Sequence, residues 1–237
     1  EEIVRGNGLD MVMALDISSS MEIPDFNGLT RFDAAKNVMI DFINGRVNDR
    51  IGLVIFAENA FYQAPPTTDY NILTELIENA PLGQDIGLSN RTAIGLGIAS
   101  STNLLRRSAS PSQIIILVTD GSNNAGEIDP ITAAQAAAAF GVRIYTVGIG
   151  TATSQDGALD VSTLRQIANI TDGQFFNALT LEDLEGFYEE IDTSETSPIE
   201  RQLTIRWQDQ AWSFMLIALV LLIIERILRN TIFQTIP

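Results

Sequence analysis

Four apolar runs of strand length recur along the chain, at Leu9 to Leu15, Ile51 to Phe56, Ile114 to Val118 and Val142 to Ile149, and none alternates cleanly in polarity. A strand with one wetted face alternates, so these runs predict strands buried on both faces, the condition of a mostly parallel sheet. Helical patterns lie between them. Phe32, Ala35, Met39 and Phe42 fall on one helix face, and the alanine-rich stretch from Ala133 to Phe140 is favoured by intrinsic propensity. Further helices are predicted at Tyr70 to Asn79, Thr92 to Leu105, Val161 to Asn169 and Leu181 to Ile191, with a last strand near Gln174 to Asn177. Such alternation predicts an α/β, doubly wound fold with helices on both faces of the sheet. Asp129-Pro130 marks one helix start and Gly141 its stop.

The chain has 237 residues, 46% of them hydrophobic, which is ample for one buried core plus an appendage. Its 30 acidic residues against 14 basic ones give a formal net charge of −16, which repels phosphate backbones and leaves no basic stripe for nucleic acid. There is no His and no Cys. A His-based triad, a thiolate nucleophile, a zinc-thiolate site and a disulfide are therefore excluded. Lack of Cys suits an oxidising compartment and the cytosol equally, so it does not locate the protein. The chain starts at Glu1 rather than Met, which predicts that residues upstream were removed or are not included.

After Glu195 the texture changes, through Thr196-Ser197-Pro198, into a segment carrying both tryptophans, Trp207 and Trp212. The expected organisation is a domain over residues 1–195, a juxtamembrane linker over 196–210, a transmembrane helix over 211–229 and a short tail over 230–237. No charge appears from Trp212 to Ile224, and apolar character resumes at Ile227 and Leu228. The uncharged run alone spans about 20 Å as a helix, short of the roughly 30 Å hydrocarbon core, and a buried core helix is the competing reading. Ala211 through Leu228 spans about 27 Å. In that version Trp207 and Trp212 mark one interface, while Glu225, Arg226 and Arg229 reach the other. Arg201 and Arg206 on one side balance Arg226 and Arg229 on the other, so the flanking charges do not set an orientation.

Three short segments carry the chemistry: Asp16-Ile17-Ser18-Ser19-Ser20, Thr92 and Thr119-Asp120-Gly121. Asp16 and Asp120 end two strand-like runs, where open α/β sheets collect their ligands. Alternate residues of an extended loop point the same way, so Asp16, Ser18 and Ser20 can converge. Carboxylate and hydroxyl oxygens suit Mg²⁺, with Mn²⁺ or Ca²⁺ as the other hard candidates. The competing reading is local: Ser18 to Ser20 and Thr92 cap helices, and the two aspartates are turn residues. Gly95-Leu96-Gly97 lies inside a helical pattern, so close helix packing explains it better than a dinucleotide loop. Asp16 at a strand end also fits a phosphoryl-transfer nucleophile, but Ser18 stands where a second acid is needed and no general base accompanies it.

These segments resemble the von Willebrand factor A domain with its metal-ion-dependent adhesion site, over about Gly8 to Ile191. The resemblance implies direct metal binding by Ser18, Ser20 and Thr92, with Asp16 and Asp120 acting largely through water. It also implies a six-stranded sheet of order 3-2-1-4-5-6 with an antiparallel edge strand around Phe61 to Gln63. A closer likeness is to BatA-type bacterial aerotolerance membrane proteins, carried by Arg50-Ile51-Gly52-Leu53-Val54-Ile55-Phe56-Ala57, Thr92-Ala93-Ile94-Gly95 and Asn124-Ala125-Gly126-Glu127-Ile128-Asp129-Pro130. It implies a non-enzymatic docking module in the bacterial inner membrane, its A domain outside the cytoplasm, with a MoxR-type AAA+ ATPase and sibling Bat proteins as associates. The partner would donate an Asp or Glu to the metal. The alternatives are a structural membrane-complex subunit whose metal only stabilises loops, and a metal-dependent hydrolase or phosphotransferase. Arg91 departs from the Gly that many relatives carry before the metal-site Thr; a cation there either weakens metal binding or attracts an acidic partner.

Overall fold

The computed structural model describes residues 8–24, 26, 28–110, 112–121, 123–150, 159–195 and 211–231. Six strands form one sheet: β1 (Asp10–Asp16), β2 (Arg50–Phe56), β3 (Ala60–Thr67), β4 (Gln113–Thr119), β5 (Val142–Ile149) and β6 (Phe175–Ala178). The helices are α1 (Arg31–Asn44), α2 (Tyr70–Glu78), α3 (Ile94–Leu105), α4 (Pro130–Ala139), α5 (Val161–Ile170), α6 (Leu181–Glu195) and α7 (Ala211–Thr231). Strand order is β3-β2-β1-β4-β5-β6, parallel throughout except that β3 runs antiparallel to β2.

The continuous apolar runs have the cause read from the sequence. Successive side chains of a strand face opposite sides, and both sides of this sheet are covered. Met11, Met13 and Leu15 join one core with Phe32, Met39, Leu73, Phe187 and Ile191 of α1, α2 and α6. Val12 and Ala14 join the other with Ile94, Ile98, Ala134 and Leu164 of α3, α4 and α5. Every residue of β1 is buried, and Asp16 is 0% exposed.

Most predicted elements fall within a few residues of those observed. Helix α3 begins at Ile94 rather than Thr92, and α6 runs on to Glu195. Asp129 caps α4 through the Thr132 N–H, with Pro130 in the first turn, and Gly141 follows at φ +73°. The two glycines of the rejected dinucleotide loop lie in α3. A Cβ on Gly97 would stand 3.0 Å from the Phe56 ring, and one on Gly95 only 2.0 Å from the Ile128 carbonyl oxygen.

Among the described residues, those from Gly8 to Glu195 belong to one compact unit and α7 to a second. In the second, α7 is a single 21-residue helix whose described apolar side chains, from Met215 to Ile227, are exposed. Among the described residues, no helix is long and apolar enough to cross a membrane. The predicted linker with Trp207, the side chain of Trp212 and the tail beyond Thr231 lie outside the described residues.

Candidate functional site

Strands β1 and β4 are parallel neighbours, with Leu15 paired to Val118, so Asp16 and Asp120 leave the sheet side by side. The chain turns to opposite faces from these two strands, which opens a crevice at their carboxyl ends. Asp16 Oδ1 accepts the Ser18 backbone N–H at 2.8 Å, turning the loop sharply, while Oδ2 accepts the Thr119 hydroxyl at 2.5 Å. Ser18 Oγ lies 3.2 Å from Ser20 Oγ, and Ser20 Oγ donates to Asp120 Oδ1 at 2.8 Å. Ser18 makes no side-chain capping bond to the 3-10 turn that follows. The capping alternative for this loop therefore fails.

Thr92 reaches the same place from another direction. The Ala93 N–H bonds the Ala57 carbonyl at 2.7 Å, tying the segment to the end of β2. Asn124 Oδ1 accepts the Thr92 N–H at 2.8 Å, and Asn123 Oδ1 accepts the Ile94 N–H at 2.9 Å. Asn123 thus does the capping of α3 that the sequence offered to Thr92. The Thr92 hydroxyl makes no hydrogen bond among the described residues and lies 3.6 Å from where a Cβ on Gly121 would be. All five predicted residues, Asp16, Ser18, Ser20, Thr92 and Asp120, therefore meet at the β1/β4 edge. All but Ser20 are at most 3% exposed.

Burial, and then the negative charge of Asp120, pushes the Asp16 carboxyl up to about 7, against hydrogen bonds from Thr119 and Ser18. Asp120 is also raised by burial, opposed by Arg31 and Ser20. Two buried acids, both raised by burial and one of them raised further by its neighbour's charge, are relieved by an added cation. Among the described residues, no group of three or more His, Cys, Asp or Glu could hold a metal. A cation here would have to draw on the two aspartates together with the hydroxyls, and that all-oxygen donor set fits a hard divalent ion.

The sequence reading gave no role at the site to Arg31, Asn123, Asn124 or Gly150, although Asn124 opens one of the segments that carry the BatA likeness. Arg31 opens α1, is 2% exposed and bonds Asp120 Oδ2 through Nη1 at 2.8 Å. A cation in a helix's first turn opposes the macrodipole, and that anomaly was the available signal. Arg91, exposed beside Thr92, donates to the Asn124 carbonyl at 3.2 Å and helps hold the Glu58 carboxyl below its usual range, after the hydrogen bonds from Ser89.

The von Willebrand factor type A domain family matches residues 10–190. An uncharacterised protein of Borreliella burgdorferi is 30% identical over 235 residues, covering 92% of this chain and 67% of that protein. The chain spans about two thirds of the length of the curated relatives it matches. Among solved structures, BatB from Bacteroides thetaiotaomicron superposes with a TM-score of 0.70 at 26% identity, over 80% of this chain and 100% of that one. An aerotolerance-related membrane protein from Bacteroides fragilis gives 0.68 at 24% identity, over 78% and 98%. Proximal thread matrix protein 1 from the mussel byssus, with a zinc-occupied MIDAS motif, gives 0.60 at 24% identity, over 80% and 46%. The last two likenesses are of fold. With the family covering the whole sheet and every predicted site residue, the chain belongs to the von Willebrand factor type A domain family.

Proposed function

We propose that this chain is a membrane-anchored docking module that binds a partner protein through a divalent cation, Mg²⁺ being the best fit, rather than a catalyst. The observation that carries the reading is the hydrogen-bonded set Asp16, Ser18, Ser20 and Asp120, with the Thr92 hydroxyl beside it, at the switch point of the sheet. Ser18, Ser20 and Thr92 would hold the ion directly, and Asp16 and Asp120 would act through water. Bound there, the ion would supply positive charge and a coordination position for the partner's Asp or Glu.

The residues support that division. Ser20 spends its proton on Asp120, which leaves its lone pairs for a cation. Thr119 and the Ser18 N–H hold Asp16 by both oxygens, fixing the loop. Neutral ligands in the inner positions leave more of the ion's charge for an external acid. The family's members are interaction modules, and the zinc-occupied motif of the mussel protein supports metal in a site of this kind.

The anchor would be α7, a 21-residue helix that over its described residues falls short of a full crossing by itself. Its described apolar side chains from Met215 to Ile224 are exposed, and apolar surface of that extent needs cover from lipid or protein. The membrane naming of the Bacteroides fragilis neighbour agrees with an anchor. The BatB likeness supports sibling Bat proteins as associates. A MoxR-type ATPase as a further associate, an inner-membrane location and an extracytoplasmic A domain rest on the resemblance alone.

The test is partner capture from detergent-solubilised membranes with the full chain, in Mg²⁺ and in chelator, alongside Asp16→Ala. Chelator and substitution should each abolish capture. Unchanged capture under both would remove the metal from the mechanism. Removing residues 196–237 should release the domain from membranes, and continued membrane retention would remove the anchor.

A further inference from the structure

Arg31 and Gly150 come from opposite parts of the chain and meet beneath Asp120. The Arg31 and Asp120 side chains are 2% and 0% exposed, and their ion pair closes at 2.8 Å. Gly150 follows β5 with φ at +107°, and its N–H bonds the Ala178 carbonyl at 3.1 Å. A Cβ at Gly150 would stand 2.6 Å from Arg31 Cζ and 2.8 Å from both Nε and Nη2. The backbone therefore lies against the guanidinium, in a cradle that only glycine allows. A buried cation is costly to desolvate, so a fixed arginine here implies a specific acid that needs it.

The charge balance gives it a role. With both acids ionised, Asp16, Asp120 and Arg31 leave one net negative charge. A divalent ion would then keep more of its positive charge than it would between two uncompensated carboxylates. Both oxygens of Asp120 are engaged before any metal arrives, Oδ1 by Ser20 and Oδ2 by Arg31. We infer that Arg31 is an internal counter-cation of the site, a positioning residue that holds Asp120 in place without metal and limits metal affinity so that charge remains for the partner's acid. The inference rests on the metal-docking reading and deepens it.

Two consequences separate this role from a merely structural one. Neutralising Arg31 lowers the stability of the metal-free protein yet tightens metal binding, because the repulsion between guanidinium and cation is gone. A residue that served only to orient Asp120 would loosen metal binding on removal. Lysine keeps the charge and gives up the planar fork, so it distinguishes charge from geometry.

The experiment uses the full chain and its Arg31→Gln and Arg31→Lys variants, titrated calorimetrically with Mg²⁺ and Mn²⁺ and melted in chelator and in saturating Mg²⁺. Arg31→Gln should melt lower in chelator, recover more on adding Mg²⁺ than the parent does, and bind metal roughly tenfold more tightly or better. Arg31→Lys should stay within about twofold of the parent's metal affinity, since the unit charge is retained. Metal binding by Arg31→Gln equal to or weaker than the parent's would overturn the inference. Should that variant fail to fold in either condition, a large loss of metal affinity in Arg31→Lys overturns it and parent-like affinity supports it. If the parent itself binds neither ion, the docking reading fails instead, which is a separate result.

Discussion

Ser20 Oγ donates to Asp120 Oδ1 at 2.8 Å, joining the loop after β1 to the end of β4 across 100 residues of sequence. The bond fixes the proton of Ser20 and one oxygen of Asp120 at the same time. Ser20→Ala would leave Asp120 Oδ1 without its donor. Ser20 is partly exposed, so water can replace the hydroxyl in part and the metal-free protein should lose only about 1 kcal/mol. Metal affinity should fall at least tenfold, because the substitution also removes a direct ligand. Denaturant melts in chelator together with Mg²⁺ titration measure both, and a loss of stability with metal affinity intact would place Ser20 outside the coordination shell.

The acid pair predicts a pH dependence with a definite sign. The Asp16 carboxyl is raised from 3.8 to about 7 in the fold, so a bound proton favours the folded state. That contribution is fully present below about pH 4 and is lost as pH rises through about 7, costing the metal-free protein on the order of a few kcal/mol. Asp16→Asn should flatten the curve. Metal displaces the proton, so Mg²⁺ affinity should climb by up to about tenfold per pH unit below 7 and level off above it. A parent stability curve that rises between pH 4 and 7 relative to Asp16→Asn would contradict the assignment.

The central strands were legible because burial on both faces leaves an unbroken apolar run, and β1, β2, β4 and β5 all carry one. The edge strand was not legible from pattern. β3 contains Pro65 and Pro66, is wetted along much of its length and pairs with β2 through register shifts near Leu53, so it came from the resemblance alone. The site divides in the same way. Asp16, Ser18 and Ser20 share a local loop, which spacing can reveal. The support of Thr92 comes from Asn123 and Asn124, about thirty positions on, and local pattern carries no trace of such pairings. Helix α6 outran its predicted end because Glu195, an acid in a last turn, is held by partners on β5 and on the residue before β4.

Two glycines in helices make opposite predictions. Gly95 in α3 would put a Cβ 2.0 Å from the Ile128 oxygen and 2.8 Å from its carbonyl carbon, so backbone must move. Gly95→Ala should cost roughly 2 to 3 kcal/mol by overpacking. Gly186 in α6 is exposed, with nothing within 4 Å of the added carbon. There Gly186→Ala should stabilise by up to about 1 kcal/mol, from helix propensity alone. Urea denaturation of the two variants tests the pair, and equal effects would mean that the packing of α3 against the residues before α4 is looser than it looks.

At the other end of the sheet, Glu195 closes α6 against the strands. It is 3% exposed; Oε1 accepts the Tyr145 hydroxyl, and Oε2 accepts Arg143 Nη2 at 2.6 Å and Ser112 Oγ at 3.0 Å. Arg143 is 39% exposed, so its charge can be hydrated if the acid is lost, and the pair itself contributes little. Tyr145 has no such escape, since it is 4% exposed. Burial and the neighbouring acid push its phenol well up, so it stays a hydroxyl donor in need of an acceptor. Glu195→Ala should therefore cost about 2 to 3 kcal/mol, mostly through the stranded Tyr145 hydroxyl. Removing both partners of a buried hydrogen bond is far cheaper than removing one. On that ground Tyr145→Phe added to Glu195→Ala should recover more than half of the loss. A double variant no more stable than Glu195→Ala would shift the cost to Arg143 and Ser112, and the tie between α6 and β5 would then be ionic rather than a buried hydrogen bond.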